Sequence, residues 1–256
     1  MGRNEDGDKQ LAKDLQLRHE LKYRIDRLQF DVLRKNLATV LKPDPNMGSP
    51  GQYHIRSLYF DDFRNSAFWE KQAGTYRREK YRIRIYNRSD AFIKFERKTK
   101  IHNYILKDSV RITRDIADRI IAGDVGFLAD SEYKLLRDFY RKSKCNIMKP
   151  VAVVEYDRVA YIHPVGNVRI TFDTGLRMGL ASISFFDCNV CTMSIVKESD
   201  VVLEVKYDDV LPLFICGLFP DTIRPQSSAG KFVMCREQHL TVTGNPVCVL
   251  QCKGSE

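Results

Sequence analysis

Strict alternation of charged and apolar residues, recurring in separate segments, is the feature that most limits the folds open to this 256-residue chain. Successive side chains of a strand point to opposite faces, so in 17–25 Leu17, His19, Leu21, Tyr23 and Ile25 fall on one side and Arg18, Glu20, Lys22 and Arg24 on the other. Lys80, Arg82, Arg84 and Tyr86 likewise oppose Tyr81, Ile83 and Ile85. Lys94, Glu96 and Lys98 oppose Ile93 and Phe95, and Lys107, Ser109 and Arg111 oppose a mixed face. A second group of strands is predicted over 151–161, 167–173, 182–192 (the weakest of the set) and 201–208. There Arg169, Thr171 and Asp173 share a side, as do Glu204, Lys206 and Asp208. The aromatic and β-branched stretch 54–61 also reads as a strand, but its pattern leaves the inward face open.

Helices are predicted around these strands. Asp26 is placed as an N-cap before Phe30, Leu33, Leu37 and Val40, and Lys42-Pro43 ends the run. Residues 113–122 end at Gly123, 131–145 carry Leu135, Leu136, Phe139 and Tyr140 behind a Ser cap, and 210–216 and 228–238 complete the set. Their apolar stripes match the apolar strand faces, which predicts an α+β fold: an antiparallel β-barrel forming a tunnel, with helices packed outside and the charged faces inside. With 43% hydrophobic residues, the chain has enough apolar surface for one domain, expected over 17–240, between a flexible N-terminal tail (1–16) and a C-terminal tail (241–256).

One charged strand face normally points to water, but several in succession opposite apolar faces call for another account. Isolated buried cations cost several kcal/mol each. A basic interior therefore implies a highly charged anion, and a polyphosphate chain offers charge and acceptor oxygens on every unit. The excess of 42 Lys and Arg over 33 acidic residues agrees with an anionic partner. Glu20, Glu96, Asp173 and Glu204 among these cations fit a phosphate-bound divalent metal, which takes one or two carboxylates; salt bridges are the competing account for Glu20 and Glu96, and Glu204 is the leading ligand candidate. Seven scattered cysteines, with Cys188 and Cys191 forming a single CxxC, lack the second pair a zinc ribbon needs and are expected to be reduced. No apolar run approaches the roughly 20 residues of a membrane span and the first residues are polar, so no transmembrane segment and a cytoplasmic location are expected.

Eight segments together carry a family resemblance: Arg18-His-Glu-Leu-Lys-Tyr23, Ser57-Leu-Tyr-Phe-Asp61, Tyr81-Arg-Ile-Arg-Ile-Tyr86, Glu96-Arg-Lys98, Glu155-Tyr-Asp-Arg158, Arg169-Ile-Thr-Phe-Asp-Thr174, Leu203-Glu-Val-Lys206 and Gly230-Lys-Phe232. In order and spacing, from about Arg18 to Gln238, they resemble the VTC domain, the polyphosphate polymerase domain of vacuolar transporter chaperones, within the triphosphate tunnel metalloenzyme (CYTH-like) superfamily. The resemblance implies a tunnel that holds a triphosphate with Mn2+ or Mg2+ and transfers the γ-phosphate of ATP to polyphosphate, releasing ADP. It implies Lys22, Arg82, Arg84, Lys98, Arg158 and Arg169 as phosphate ligands and Lys231 near the phosphate end, with Lys71, Lys94, Lys107 and Lys206 as weaker candidates. Arg82, Arg84, Arg158, Arg169 and Lys231 then form the catalytic set, and Glu204, with Glu20 and Glu96, the metal set. The superfamily's ExExK signature is here Arg18-His-Glu20-Leu-Lys22, its first acid replaced by Arg, and its Ser-Lys element is interrupted by Ala229 and Gly230 between Ser228 and Lys231. The SPX domain and membrane segments that accompany such domains in vacuolar complexes have no counterpart in the 256 residues, so a stand-alone version is expected. A triphosphate or polyphosphate hydrolase and a non-catalytic polyphosphate or inositol phosphate receptor remain as alternatives. A nucleic-acid partner is not expected, because a basic face for single strands ordinarily carries exposed stacking aromatics.

Overall fold

The computed structural model describes residues 19–101, 104–179, 185–197, 199–220, 223 and 230–242. The expected N-terminal tail, the C-terminal tail from 243 on, Arg18, Ser228, Ala229, Cys248, Cys252 and residues 182–184 of the weakest strand lie outside these, and residues 241–242, expected in the C-terminal tail, belong to α6. In chain order the elements are β1 (His19–Ile25), α1 (Arg27–Ala38), β2 (Lys42–Pro43), β3 (Tyr53–Asp61), α2 (Ser66–Gln72), β4 (Arg77–Tyr86), β5 (Ser89–Ile101), β6 (Tyr104–Ile112), α3 (Arg114–Ile121), α4 (Lys134–Asn146), β7 (Lys149–His163), β8 (Val168–Gly179), β9 (Thr192–Ser194), β10 (Val201–Tyr207), α5 (Leu213–Cys216) and α6 (Lys231–Val242).

Because charged and apolar residues alternate, each strand is forced to offer one face to a core. The ten strands join in one antiparallel sheet in the order β1-β10-β8-β7-β3-β4-β5-β6, with β2 beside β7 and β9 beside β8. Two apolar clusters cover the outer face. Beneath α1, whose Asp26 and Gln29 form a reciprocal capping box, Phe30, Leu33 and Leu37 pack with Ile170, Phe172 and Leu203, and the Phe30 and Phe172 rings meet edge-on at 5.0 Å. Beneath α3 and α4, Phe139 is surrounded by Phe95, Tyr81 and Phe60 at 4.9, 5.3 and 5.4 Å. Burial of such side chains contributes about 1.5–3 kcal/mol each.

The sheet curls strongly but is not closed, which corrects the expected barrel. Among the described residues β1 pairs only with β10 and β6 only with β5. Yet Lys98 on β5 donates to Glu20 on β1 at 3.0 Å, although six strand spacings separate them in the sheet order. On a flat sheet that separation would be roughly 29 Å. Among the described residues long charged side chains, not a backbone ladder, therefore link β5 to the edge strand β1 across the concave face.

Four further expectations change. The helices do not all lie outside: Phe232 of α6 packs 5.0 Å from Tyr59, which shares the inner face of the sheet with Ser57. Residues 185–191 form no strand; Arg56 takes the carbonyls of Phe185 and Asp187 that a ladder would otherwise occupy, and among the described residues of this stretch strand structure is confined to β9. The helix placed at Ser131 begins at Lys134, because Ser131 closes a preceding 3₁₀ turn and accepts from the Tyr133 N–H. Pro212 stands just before α5 and restricts it to Leu213–Cys216. No helix among the described residues is long and apolar enough to cross a membrane.

Candidate functional site

Cross-strand register explains how distant residues meet on the concave face. Lys22 lies opposite Glu204, which lies opposite Thr171; Arg158 lies opposite Asp173; Arg82 lies opposite Glu96; and Lys80 lies opposite Lys98, itself opposite Lys107. The shared inward parity of these positions becomes three linked groups of charges.

In the first group, Lys22 bridges Glu20 and Glu204, Lys98 binds Glu20, and Lys206 lies 3.2 Å from Glu204. The second is built on Asp173, which accepts two guanidinium N–H groups of Arg158 at 2.6 and 2.8 Å and the Lys231 ammonium at 2.5 Å. Lys231 opens α6, so that helix delivers a cation to the inner face. In the third, Glu96 holds Arg82 and Lys107, each at 2.6 Å, with Arg84 at 3.8 Å. The Tyr156 hydroxyl joins the last two by accepting from Arg84 and Arg158, and Arg158 also reaches Glu204 at 4.0 Å.

The acids stay ionised despite burial. Burial pushes the Glu204 carboxyl up, but the ammonium groups of Lys206, Lys22 and Lys231 hold it well below the usual carboxylate range. Burial is likewise outweighed at Asp173 by Arg158 and Lys231, and at Glu96 by Arg82, Arg84 and Lys107. The cations are not balanced everywhere. Burial and the neighbouring Lys71, Lys98, Arg78 and Lys22 push Lys80 down to about 7, and burial, only partly countered by Glu20, leaves Lys98 at about 8. Crowding two half-buried ammonium groups together without equal counter-charge produces a face with a standing affinity for anions.

Of the residues singled out in the sequence, Lys22, Arg82, Arg84, Lys98, Lys107, Arg158, Lys206, Lys231, Glu20, Glu96 and Glu204 fall in this network. Arg169 lies towards a rim, bound to Asp44 at 2.5 Å and to the Tyr53 hydroxyl at 3.0 Å, and Lys94 lies over the Phe92 ring at the same rim. Lys71 is near Lys80 at the opposite end. Tyr156, two positions before Arg158, escapes the reading of the sequence; Lys80 reads there as part of a charged face but not as a site residue, and Asp173, weighed with the acids that could hold a metal, instead pairs with Arg158 and Lys231.

For a divalent cation, Glu20 and Glu204 lie close together whereas Glu96 belongs to a separate group, and no set of three His, Cys, Asp or Glu side chains gathers among the described residues. Thr171 Oγ1, opposite Glu204, is buried without a hydrogen-bond partner. Two carboxylates and an uncommitted hydroxyl are hard oxygen donors and fit Mg2+ or Mn2+ whose other ligands come from phosphate. The cysteines Cys145, Cys188, Cys191, Cys216 and Cys235 are free thiols.

A family model described as VTC domain matches residues 17–239. Solved structures similar to this chain include the PH1819 protein of Pyrococcus horikoshii, at 12% identity and TM-score 0.45 over 86% of this chain and 99% of that one. Another is a candidate adenylate cyclase of Bacillus halodurans, at 11% identity and TM-score 0.44 over 90% of each chain. None of the curated proteins matches the chain by sequence.

Proposed function

From the premise that the chain belongs to the VTC domain family, we propose that its concave face is a phosphate tunnel and that the protein is a metal-dependent phosphotransferase extending polyphosphate with the γ-phosphate of ATP. The observation that carries this reading is the convergence of Lys22, Arg82, Arg84, Lys98, Arg158 and Lys231, from four strands and one helix, around buried acids that only partly neutralise them.

Phosphoryl transfer needs positioning and charge stabilisation more than covalent participation by the protein. Arg158, gripped by Asp173, and Arg82, gripped by Glu96, have oriented guanidinium groups that receive equatorial phosphate oxygens without reorganising. Arg84 and Lys231 approach the same region around Tyr156, where they balance charge developing on the leaving diphosphate. Glu96 acts here as a counter-charge for Arg82 and Lys107. Glu204 and Glu20, with the Thr171 hydroxyl, would hold the divalent cation. When bound, that ion polarises phosphate oxygens as a Lewis acid. Arg169 and Lys94 guide the ends of the anion.

Incubation of the purified protein with ATP and Mn2+, followed by gel detection of long polyphosphate and assay of ADP, tests the reading. Polymer with matching ADP is expected. Free phosphate without polymer would instead indicate a triphosphatase, and neither product a binding module. Glu204→Gln is expected to lower turnover at least about 100-fold while tripolyphosphate still binds; full activity in this variant removes Glu204 from the metal site.

A further inference from the structure

The two ends of the concave face differ in chemistry. Around Lys80 the cations Lys71, Arg78, Lys98 and Lys22 crowd together, and the nearest ring, Phe232, is 3% exposed, lodged between Tyr59 and the Lys80 ammonium. Phe232 has no free face there, and the exposed rings of that neighbourhood, Trp69 and Tyr76, lie on α2 and in the turn before β4 rather than at inward strand positions. At the other end, beside the turn joining β4 to β5, Tyr53, Tyr86 and Phe92 form a file of rings with centroids 6.1 and 6.2 Å apart. Phe92 is 40% exposed. It has the parity of Lys94 and Glu96, so it belongs to the inner face of β5. The Lys94 ammonium and Arg111 guanidinium lie 5.0 and 5.1 Å from its centroid, and Arg111 is tethered to the Ala91 carbonyl at 3.0 Å.

A bare phosphate chain has no use for a half-exposed ring, which costs free energy in water. A planar group does: rings and guanidinium planes stack on heteroaromatic bases, and every base offers a π face. Along β4 the inward positions Arg82, Arg84 and Tyr86 lead from the centre of the face to this rim, with Lys94 directly opposite Arg84 and Arg111 opposite Lys94, and so connect a stacked base with inward phosphates.

We propose that Phe92 and Tyr86, with Arg111 alongside, form the stacking platform for the base of a nucleoside triphosphate. Its phosphates run inward past Lys94 and Arg84 towards the cations crowded around Lys80. This deepens the phosphotransferase reading and rests on it. Because the platform offers ring faces and cations, it selects for stacking area, and purines bind better than pyrimidines without a sharp choice between adenine and guanine.

Calorimetric titration of the full chain in Mn2+ with ATP and, separately, with inorganic tripolyphosphate tests the assignment without requiring turnover. Phe92→Ala is expected to weaken ATP about tenfold, equivalent to about 1.4 kcal/mol, and tripolyphosphate less than about twofold. Phe92→Leu, which keeps apolar volume without a π face, is expected to behave as Phe92→Ala does, and Phe92→Trp to bind ATP at least as tightly as the unsubstituted chain. Equal weakening of both ligands, no change in either, or full ATP affinity in Phe92→Leu overturns the platform. Failure of the unsubstituted chain to bind tripolyphosphate would overturn the underlying phosphate-site reading instead.

Discussion

The inward cations Lys22, Arg82, Arg84, Lys98 and Arg158 are each governed by a neighbouring acid. Arg158 and Lys231 share Asp173, Arg82 and Lys107 share Glu96, and Lys22 is held by Glu20 and Glu204. Lys80 is instead surrounded by Lys71, Lys98, Arg78 and Lys22, which together with burial bring it from 10.5 to about 7. Between about pH 7 and 10.5 the unfolded chain therefore binds more protons at this position than the folded one, and stability rises with pH across that window; below it, the cost of the charged lysine is fully present. Lys80→Met removes this cost. Its Tm is expected to exceed that of the unsubstituted chain most below pH 7 and by a shrinking margin towards pH 10. A constant margin across thermal melts in that range would show that Lys80 titrates normally. In the sequence, Lys80 is visible as an inward cation, but its lack of counter-charge depends on which acids the fold brings near.

At the scale of elements, α6 couples anchoring to the site. Arg236, 5% exposed, donates to the Asn65 side-chain oxygen at 2.6 Å and to the Val151 carbonyl at 3.3 Å, tying the helix to the start of α2 and to β7. Lys231 at the same helix's start reaches Asp173. Arg236→Leu is expected to cost about 1.5–3 kcal/mol and to weaken tripolyphosphate several-fold through displacement of Lys231. Melts and titrations read both, and unchanged affinity would show that the helix start is held independently. Strands β1, β4, β5 and β10 are legible because their alternation is a local signal. The 185–191 segment is not, because Arg56, from β3, satisfies its carbonyls, and no local pattern records a partner so distant in sequence.

On the scale of the whole molecule, the curled sheet concentrates positive charge on a face that an anion can cross. Anything that binds the folded chain alone stabilises it by mass action. Tripolyphosphate at 100 times its Kd is therefore expected to add about 2.7 kcal/mol, with Tm rising as its concentration increases. An unchanged Tm at concentrations where titration shows saturation would contradict binding to the folded face. Which side of each strand is charged and which helices can cover the apolar sides are written in the order of residues along the chain, because side-chain alternation and helical periodicity are properties of neighbouring residues. That Lys98 meets Glu20 across an open sheet, that Glu96 stands apart from Glu204 and that Lys231 enters from a helix follow instead from the three-dimensional arrangement. Curvature, register and the docking of α6 arise from hydrogen bonds and packing between segments far apart in the chain, and no short stretch of residues encodes them.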